Sequence, residues 1–413
     1  MKALHLFCLE LGRLFQSRLT WLVILLTVLS PLAGLVLYKP TAADTMLSMY
    51  LADPALAGGV VGGILFGLLA VYELDRTERG RVSLLVDGTV SPLMMALVRL
   101  PALAAAAVLG LGLTMLVWLP ISRELIGSVF GGTDYLLSYL LFMGLALWLA
   151  ILAAAAAYQF TRRSDLSLVL FAAFAALSLT VWAGKWQLCW LNPCVWALSD
   201  DFSNFRLYRS VAYMRLTWLA ALAGVWTLSW LCIRQYGKGL LGSLARSARR
   251  VCRPLIALLL LACSGAAYAA QPFFDNSNPD LTASRLFELE YAEGVTCSRR
   301  TAQVFPDTAA GTVEGRSAYQ FQNTSGQGWT VCFGVDPGYD ITSARANGAE
   351  ISPVRTGYEE SNMALWEIAL PADSAVELVL EYGGFPQESM PTMQGSKELS
   401  GEYLCLENAA LSP

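Results

Sequence analysis

The densest set of chemistry-bearing side chains is the run Glu73-Leu-Asp-Arg-Thr-Glu-Arg-Gly-Arg81. Acids and arginines interleaved in this way either meet a partner's surface or form a solvated connector. Elsewhere the chain is poor in residues that do chemistry. Its single histidine, His5, excludes an H-E-x-x-H zinc motif and any Ser/His or Cys/His nucleophile in the C-terminal third. Glu359, Glu360 and Glu367 give no ligand set by themselves. No G-x-x-x-x-G-K-[ST] phosphate loop occurs; Gly184-Lys185 and Gly237-Lys238 lack both the upstream glycine and the following hydroxyl residue. Neither a catalytic residue nor a metal site is expected.

The elements that must position the charged run are apolar. Leu19–Tyr38, Pro54–Tyr72, Leu100–Ser122, Tyr135–Thr161, Leu166–Gly184, Leu216–Ile233 and Pro254–Gln271 hold no Asp, Glu, Lys or Arg. Runs of roughly 18 or more apolar residues are long enough to span a bilayer. Hydrophobic residues make up 55% of the chain and charged ones 15%, which places it with polytopic membrane proteins. The net charge of −4 conceals two regions. Residues 1–270 carry 21 Lys+Arg and 12 Asp+Glu, whereas residues 271–413 carry 7 and 20. An acidic, solvated C-terminal domain is the simplest account. With the N-terminus inside, inner segments hold 15 Lys and Arg, and the outer loops hold only Lys39, Arg123, Lys185, Arg206, Arg209 and Arg215. That bias, with seven spans, puts the acidic domain outside a cell membrane.

Within the body, residues 1–18 read as an inner interfacial amphipathic helix, with Leu4, Phe7, Leu11 and Leu14 on one side and Lys2, Glu10, Arg13 and Gln16 mostly on the other. Gly58, Gly59, Gly62, Gly63 and Gly67 recur four apart in the second stretch, a packing face for a neighbouring helix. Trp182, Trp186, Trp190, Trp196, Phe202, Phe205 and Tyr208 suit an outer interfacial belt, folding back at Asn192-Pro193. No predicted span carries a charge in its core, which argues against ion-coupled transport. Cys189–Cys194 and Cys297–Cys332 are candidate disulfides in an outer compartment, with buried thiols as the other reading.

The loop from Glu73 to Arg99 continues as a short apolar segment, Val82–Val86, then Val90-Ser-Pro and a helical restart. Here the chain resembles type-2 ABC transporter permeases over about residues 1–240. The matching positions are Glu73, Gly80, Leu84, Leu85, Ser91, Pro92 and Arg99, with Asp75 and Arg76 in the same charged cluster. The resemblance implies a six-span body (19–233) and a coupling helix pressed by a separate cytosolic ATPase. ATP and Mg would sit on that partner, and a second permease would complete a homodimer or heterodimer. No nucleic-acid partner is implied.

A basic linker, residues 234–253, precedes Pro254–Gln271. The basic cluster, apolar core and small residues resemble a signal peptide, and Leu260-Leu-Ala-Cys263 approximates a lipoprotein box. A retained seventh span is the simpler reading. Residues 272–413 alternate with period two, giving candidate strands Arg285–Tyr291, Arg316–Gln322, Gly328–Val335, Ile341–Ala346, Ala364–Leu370 and Ala375–Tyr382. Asn347-Gly348 marks a hairpin. The fold class expected is therefore a polytopic α-helical membrane protein with a C-terminal extracytoplasmic all-β sandwich. Gly328–Asp340, Ile341–Gly348, Trp366–Pro371 and Leu378–Gly384 resemble the N-terminal β-domain of zinc aminopeptidases related to aminopeptidase N. Without that family's zinc motif, the domain is a binding module or the front piece of a permease–peptidase fusion.

The expectation is the membrane subunit of an ABC exporter, not itself an enzyme. The alternative is a membrane-anchored peptide-binding or sensory protein.

Overall fold

A computed structural model of the chain describes residues 2–41, 44–82, 86, 89–183, 187–195, 197–200, 204–233, 252–270, 294–307, 312–336, 338–358, 364–384, 398–399 and 404–405. Two compact units result, Met1–Gln271 and Pro272–Pro413.

The first unit is helical. Five described helices are long and apolar enough to cross a membrane: Arg18–Val36 (α2), Ser48–Leu74 (α3), Pro92–Val129 (α5), Gly132–Thr161 (α6) and Leu207–Cys232 (α8). Helix α1, Lys2–Gln16, precedes them, and α4, Arg76–Arg79, follows α3. Many exposed side chains of the five long helices are apolar, as Leu25, Leu116 and Leu216 show, so the surrounding solvent they fit is lipid. In that solvent the backbone must bond to itself, and helices do so.

One expected span is shorter than the sequence suggests. Leu166–Gly184 yields a helix only over Ser164–Leu179 (α7), because the chain turns at Thr180, where Trp182 N–H donates to Leu177 O at 2.9 Å. The 16 residues of α7 reach roughly 24 Å, short of the ~30 Å hydrocarbon core. Pro254–Gln271 yields a helix over Cys252–Ala269 (α9), 18 residues long, whose apolar part is Pro254–Ala269. Helix α9 runs antiparallel to α8: a Cβ on Gly224 would lie 2.9 Å from Leu261, and Ser264 Oγ donates to Thr217 O at 2.9 Å.

The glycine face of α3 is consumed inside this unit. A Cβ at Gly59 would come within 2.6 Å of Phe142 O, at Gly62 within 2.8 Å of Leu147, and at Gly67 within 2.1 Å of the Phe171 ring. Gly58 faces Met143 and Gly63 faces Leu191. Only residues without side chains allow α6, α7 and the 190–191 segment to approach so closely.

The second unit is all-β. Its ten described strands are Val295–Asp307 (β1), Thr312–Asn323 (β2), Trp329–Val335 (β3), Tyr339–Ala346 (β4), Ala349–Ile351 (β5), Val354–Tyr358 (β6), Ala364–Leu370 (β7), Ala375–Gly384 (β8), Glu398–Leu399 (β9) and Leu404–Cys405 (β10). One sheet runs β1-β2-β8-β4-β5, a second β3-β7-β6, and β9 pairs with β10. A shared core joins the two larger sheets: Tyr319, Phe321, Leu378 and Leu380 from one, Phe333, Trp366 and Ile368 from the other. The alternation on β8 is clean, with Val376, Leu378, Leu380 and Tyr382 buried. Asn347 and Gly348, at φ 49° and 82°, close β4 onto β5 with Ala346 opposite Ala349, the type I′ geometry that needs positive φ twice. The candidate strand Arg285–Tyr291 lies outside the described residues, while β1, β5 and β6 were not expected.

Candidate functional site: the charged cluster where α1, α3 and α5 meet

Helix α3 ends on Glu73 and Leu74, with Asp75 as its C-cap. Helix α1 supplies Glu10 and Arg13, α5 supplies Arg99 and α6 supplies Tyr158. Arg13 is the bridge: its guanidinium lies 2.6 Å from Glu73 and 2.9 Å from Glu10. The other oxygen of Glu10 faces Arg76 at 3.7 Å and Arg99 at 3.8 Å. Arg99 also donates to Leu74 O at 3.2 Å, closing the end of α3. Tyr158 donates to Asp75 at 3.2 Å. Glu10, Glu73, Asp75 and Arg99 are all buried. Burying a charge costs several kcal/mol unless it is paired, so these side chains hold one another in place. The Arg76 guanidinium sits below its ordinary value, first through burial and then through Arg13 beside it, with Glu10 pulling the other way.

The structure therefore gathers four of the expected loop residues, Glu73, Asp75, Arg76 and Arg99, and adds Glu10, Arg13 and Tyr158. Glu10 was expected on the polar face of a surface helix; instead it is buried, while the apolar Leu4 and Leu9 of α1 are exposed. Its i,i+3 spacing to Arg13 was the available signal. Ser91 and Pro92 do not join the cluster. Ser91 caps α5, its Oγ accepting from Met94 N–H at 3.3 Å, and Pro92 takes the first helical position. Gly80 ends α4 with an ordinary φ, and the left-handed residue is its neighbour Arg81, at φ 54°. Leu84 and Leu85 lie outside the described residues. Around them, Val86 N–H donates to Val82 O at 3.0 Å and Val90 N–H to Val86 O at 2.8 Å, the spacing of helical turns.

The expectation of charge-free spans is overturned. Arg215, assigned by sequence to an outer loop, lies within α8 and is fully buried. Its guanidinium donates to the carbonyls of Leu141, Phe142, Trp190 and Leu191. Leu141 and Phe142 belong to a π-helical turn, Tyr139–Gly144, whose widened backbone leaves carbonyls to satisfy. The span begins at Leu207, so Arg209 also moves from loop to helix, and the outer-loop count of basic residues falls accordingly. Asp53, buried near the start of α3, accepts from Thr41 N–H and Oγ1 at 3.0 and 2.8 Å.

The aromatic segment folds into the body. Trp190 is buried and stacks on Phe174 with centroids 4.7 Å apart, while its Nε1 donates to Phe174 O. Trp182 meets the same ring edge-on. Trp186, Trp196 and Phe202 lie outside the described residues. Neither expected cysteine pair is bonded: Cys189, Cys194, Cys297 and Cys332 are thiols. Cys297 and Cys332 stand on strands of different sheets, β1 and β3. Burial pushes the Cys189 thiol up to about 11. Among the described residues no three His, Cys, Asp or Glu side chains converge as a metal site.

No family model matches the chain, and neither a curated protein nor a solved structure matches it.

Proposed function

We propose that the chain is the membrane subunit of an ABC exporter, driven by ATP hydrolysed on a separate cytosolic subunit. The observation that carries this reading is the joint between Arg13, Glu10, Glu73 and Arg99. It fastens the end of α3 to α1 and α5 at the start of the loop expected to receive the partner. A push on residues 76–92 would reach all three helices at once, because buried charges cannot separate without finding new partners. The ion pairs of Arg76 and Arg99 to Glu10, at 3.7 and 3.8 Å, are long enough to exchange. A resemblance to type-2 permeases in the Glu73–Arg99 pattern supports the same reading.

On this reading the β-unit lies outside the cell and binds a peptide or protein. Among the described residues, β1 has a neighbour on one edge only, leaving a strand edge that an extended peptide could join.

The test is purification of the tagged chain from native membranes. Wild type should bring down a stoichiometric ATPase, and the pair Leu84→Asp with Leu85→Asp should lose it while keeping its helix content. Unchanged ATPase recovery from the double variant would defeat the assignment.

A further inference from the structure

A cavity adjoins the same α3 terminus and shares Asp75 with the charged cluster. Its volume is about 460 Å³, and it runs between α2, α3 and α7. Leu22 and Leu26 form its α2 wall, Leu65 and Leu68 its α3 wall, and Leu168 the α7 side. Polar groups gather at one end only, where Tyr72, Asp75, Arg79 and Ser164 line it. From Leu65 to Asp75 the α3 wall is roughly 15 Å long at 1.5 Å per residue. That is about half of a ~30 Å hydrocarbon core, the reach of one acyl chain in its own leaflet.

The polar end is built from both signs of charge. Arg79 lies with its guanidinium carbon 3.7 Å from the Tyr72 ring centroid and donates to Tyr72 O at 3.4 Å. Cation–π contact and a backbone acceptor hold the group while leaving donors for a ligand. Asp75 stands one helical turn before Arg79 on the same lip, with one oxygen accepting from Tyr158. An arginine and a carboxylate one turn apart, above an apolar slot, complement a phosphate and an ammonium joined by a short linker.

We propose that this cavity binds one aminophospholipid, its phosphate on Arg79, its amine at Asp75 and one acyl chain between α2, α3 and α7. The occupant is set by the matched charges at one end and by the apolar walls at the other. It requires these helices to lie in a membrane, and it is independent of the exporter reading. A bound lipid would brace α7, which is too short to span alone, against α2 and α3.

The experiment is native mass spectrometry of the full chain released from nanodiscs containing equal parts phosphatidylethanolamine, phosphatidylglycerol and phosphatidylcholine. Wild type should retain one phosphatidylethanolamine in preference to the other two. Arg79→Ala should reduce that retention about tenfold, the effect of losing one charge-assisted hydrogen bond. Leu168→Trp, which fills the slot and leaves the headgroup lip intact, should abolish it. Circular dichroism confirms that both variants keep wild-type helix content. Equal retention of the three lipids, preference for phosphatidylglycerol, or undiminished retention in Leu168→Trp would each overturn the proposal.

Discussion

Arg215 donates only to backbone carbonyls, four of them on two segments, whereas Arg99 donates to one carbonyl and faces a carboxylate at 3.8 Å. Both are buried. Arg215 uses its planar fork to pin the π-turn of α6 and the 190–191 segment, with no acidic partner among those bonds. Arg99 leaves Nε and Nη2 without a hydrogen bond and shares Glu10 with Arg13 and Arg76. The first arrangement has one satisfied state. The second has several charges competing for few partners, so alternative pairings cost little. In a bilayer-embedded body this separates a fixed anchor beside the middle of α3 from an adjustable joint at its end.

The largest expected effect lies at the anchor. Arg215→Met should destabilise the body by about 3 kcal/mol, four bonds at roughly 0.6–1 kcal/mol each. Arg215→Lys should recover only part, since an ammonium lacks the fork. Reversible unfolding in mixed micelles measures both, and a loss below about 0.5 kcal/mol for the methionine variant would mean the carbonyls find other donors. Next in size is the helix seam. Gly67→Ala sets a methyl against the Phe171 ring and should cost about 1–3 kcal/mol by overpacking. Phe171→Leu in the same chain should restore most of it if the clash is the cause.

The joint should respond more weakly. A double-mutant cycle on Arg13 and Glu73 should give a coupling of about 1–2 kcal/mol, because the pair is close but Arg13 is partly exposed. A coupling as large as the Arg215 loss would erase the contrast between anchor and joint. The smallest effect is chemical. Near the anchor, Cys189 has its thiol pushed up to about 11 by burial, so less of it is thiolate at any given pH. Maleimide at pH 8 should label Cys8 and Cys297, which are exposed, well before Cys189. Equal rates would show that the segment opens to solvent.

The division into apolar helices and an alternating β-region was legible in the sequence, and so were most inner-sheet strands. β8 begins where its alternation does, with Val376, Leu378, Leu380 and Tyr382 buried, because one face meets a core. β1 was missed for the same physical reason. It is an edge strand exposed along almost its whole length, so neither face imposes a pattern. In the membrane unit, charge-free runs marked helix centres but not helix ends. Arg215 was excluded from its span because isolated charges are costly in lipid, and only the carbonyls supplied by distant segments make it affordable. Glu73 and Arg99 were visible as a pattern in one loop. Their partner Glu10 was not, since nothing local says that α1 returns to the end of α3.

If the proposed exporter function holds, the Glu10–Glu73–Arg99 joint moves under a partner ATPase while the Arg215 anchor stays fixed. Spin-label distances test it most directly, with Gly12→Cys and Val82→Cys across the joint and Leu140→Cys and Leu188→Cys across the anchor. Each pair is placed in a chain otherwise free of cysteine and purified with the ATPase that the proposed function requires. On vanadate trapping, the Gly12–Val82 distance should shift and the Leu140–Leu188 distance should stay constant. A static first pair, or equal shifts in both, would contradict the account.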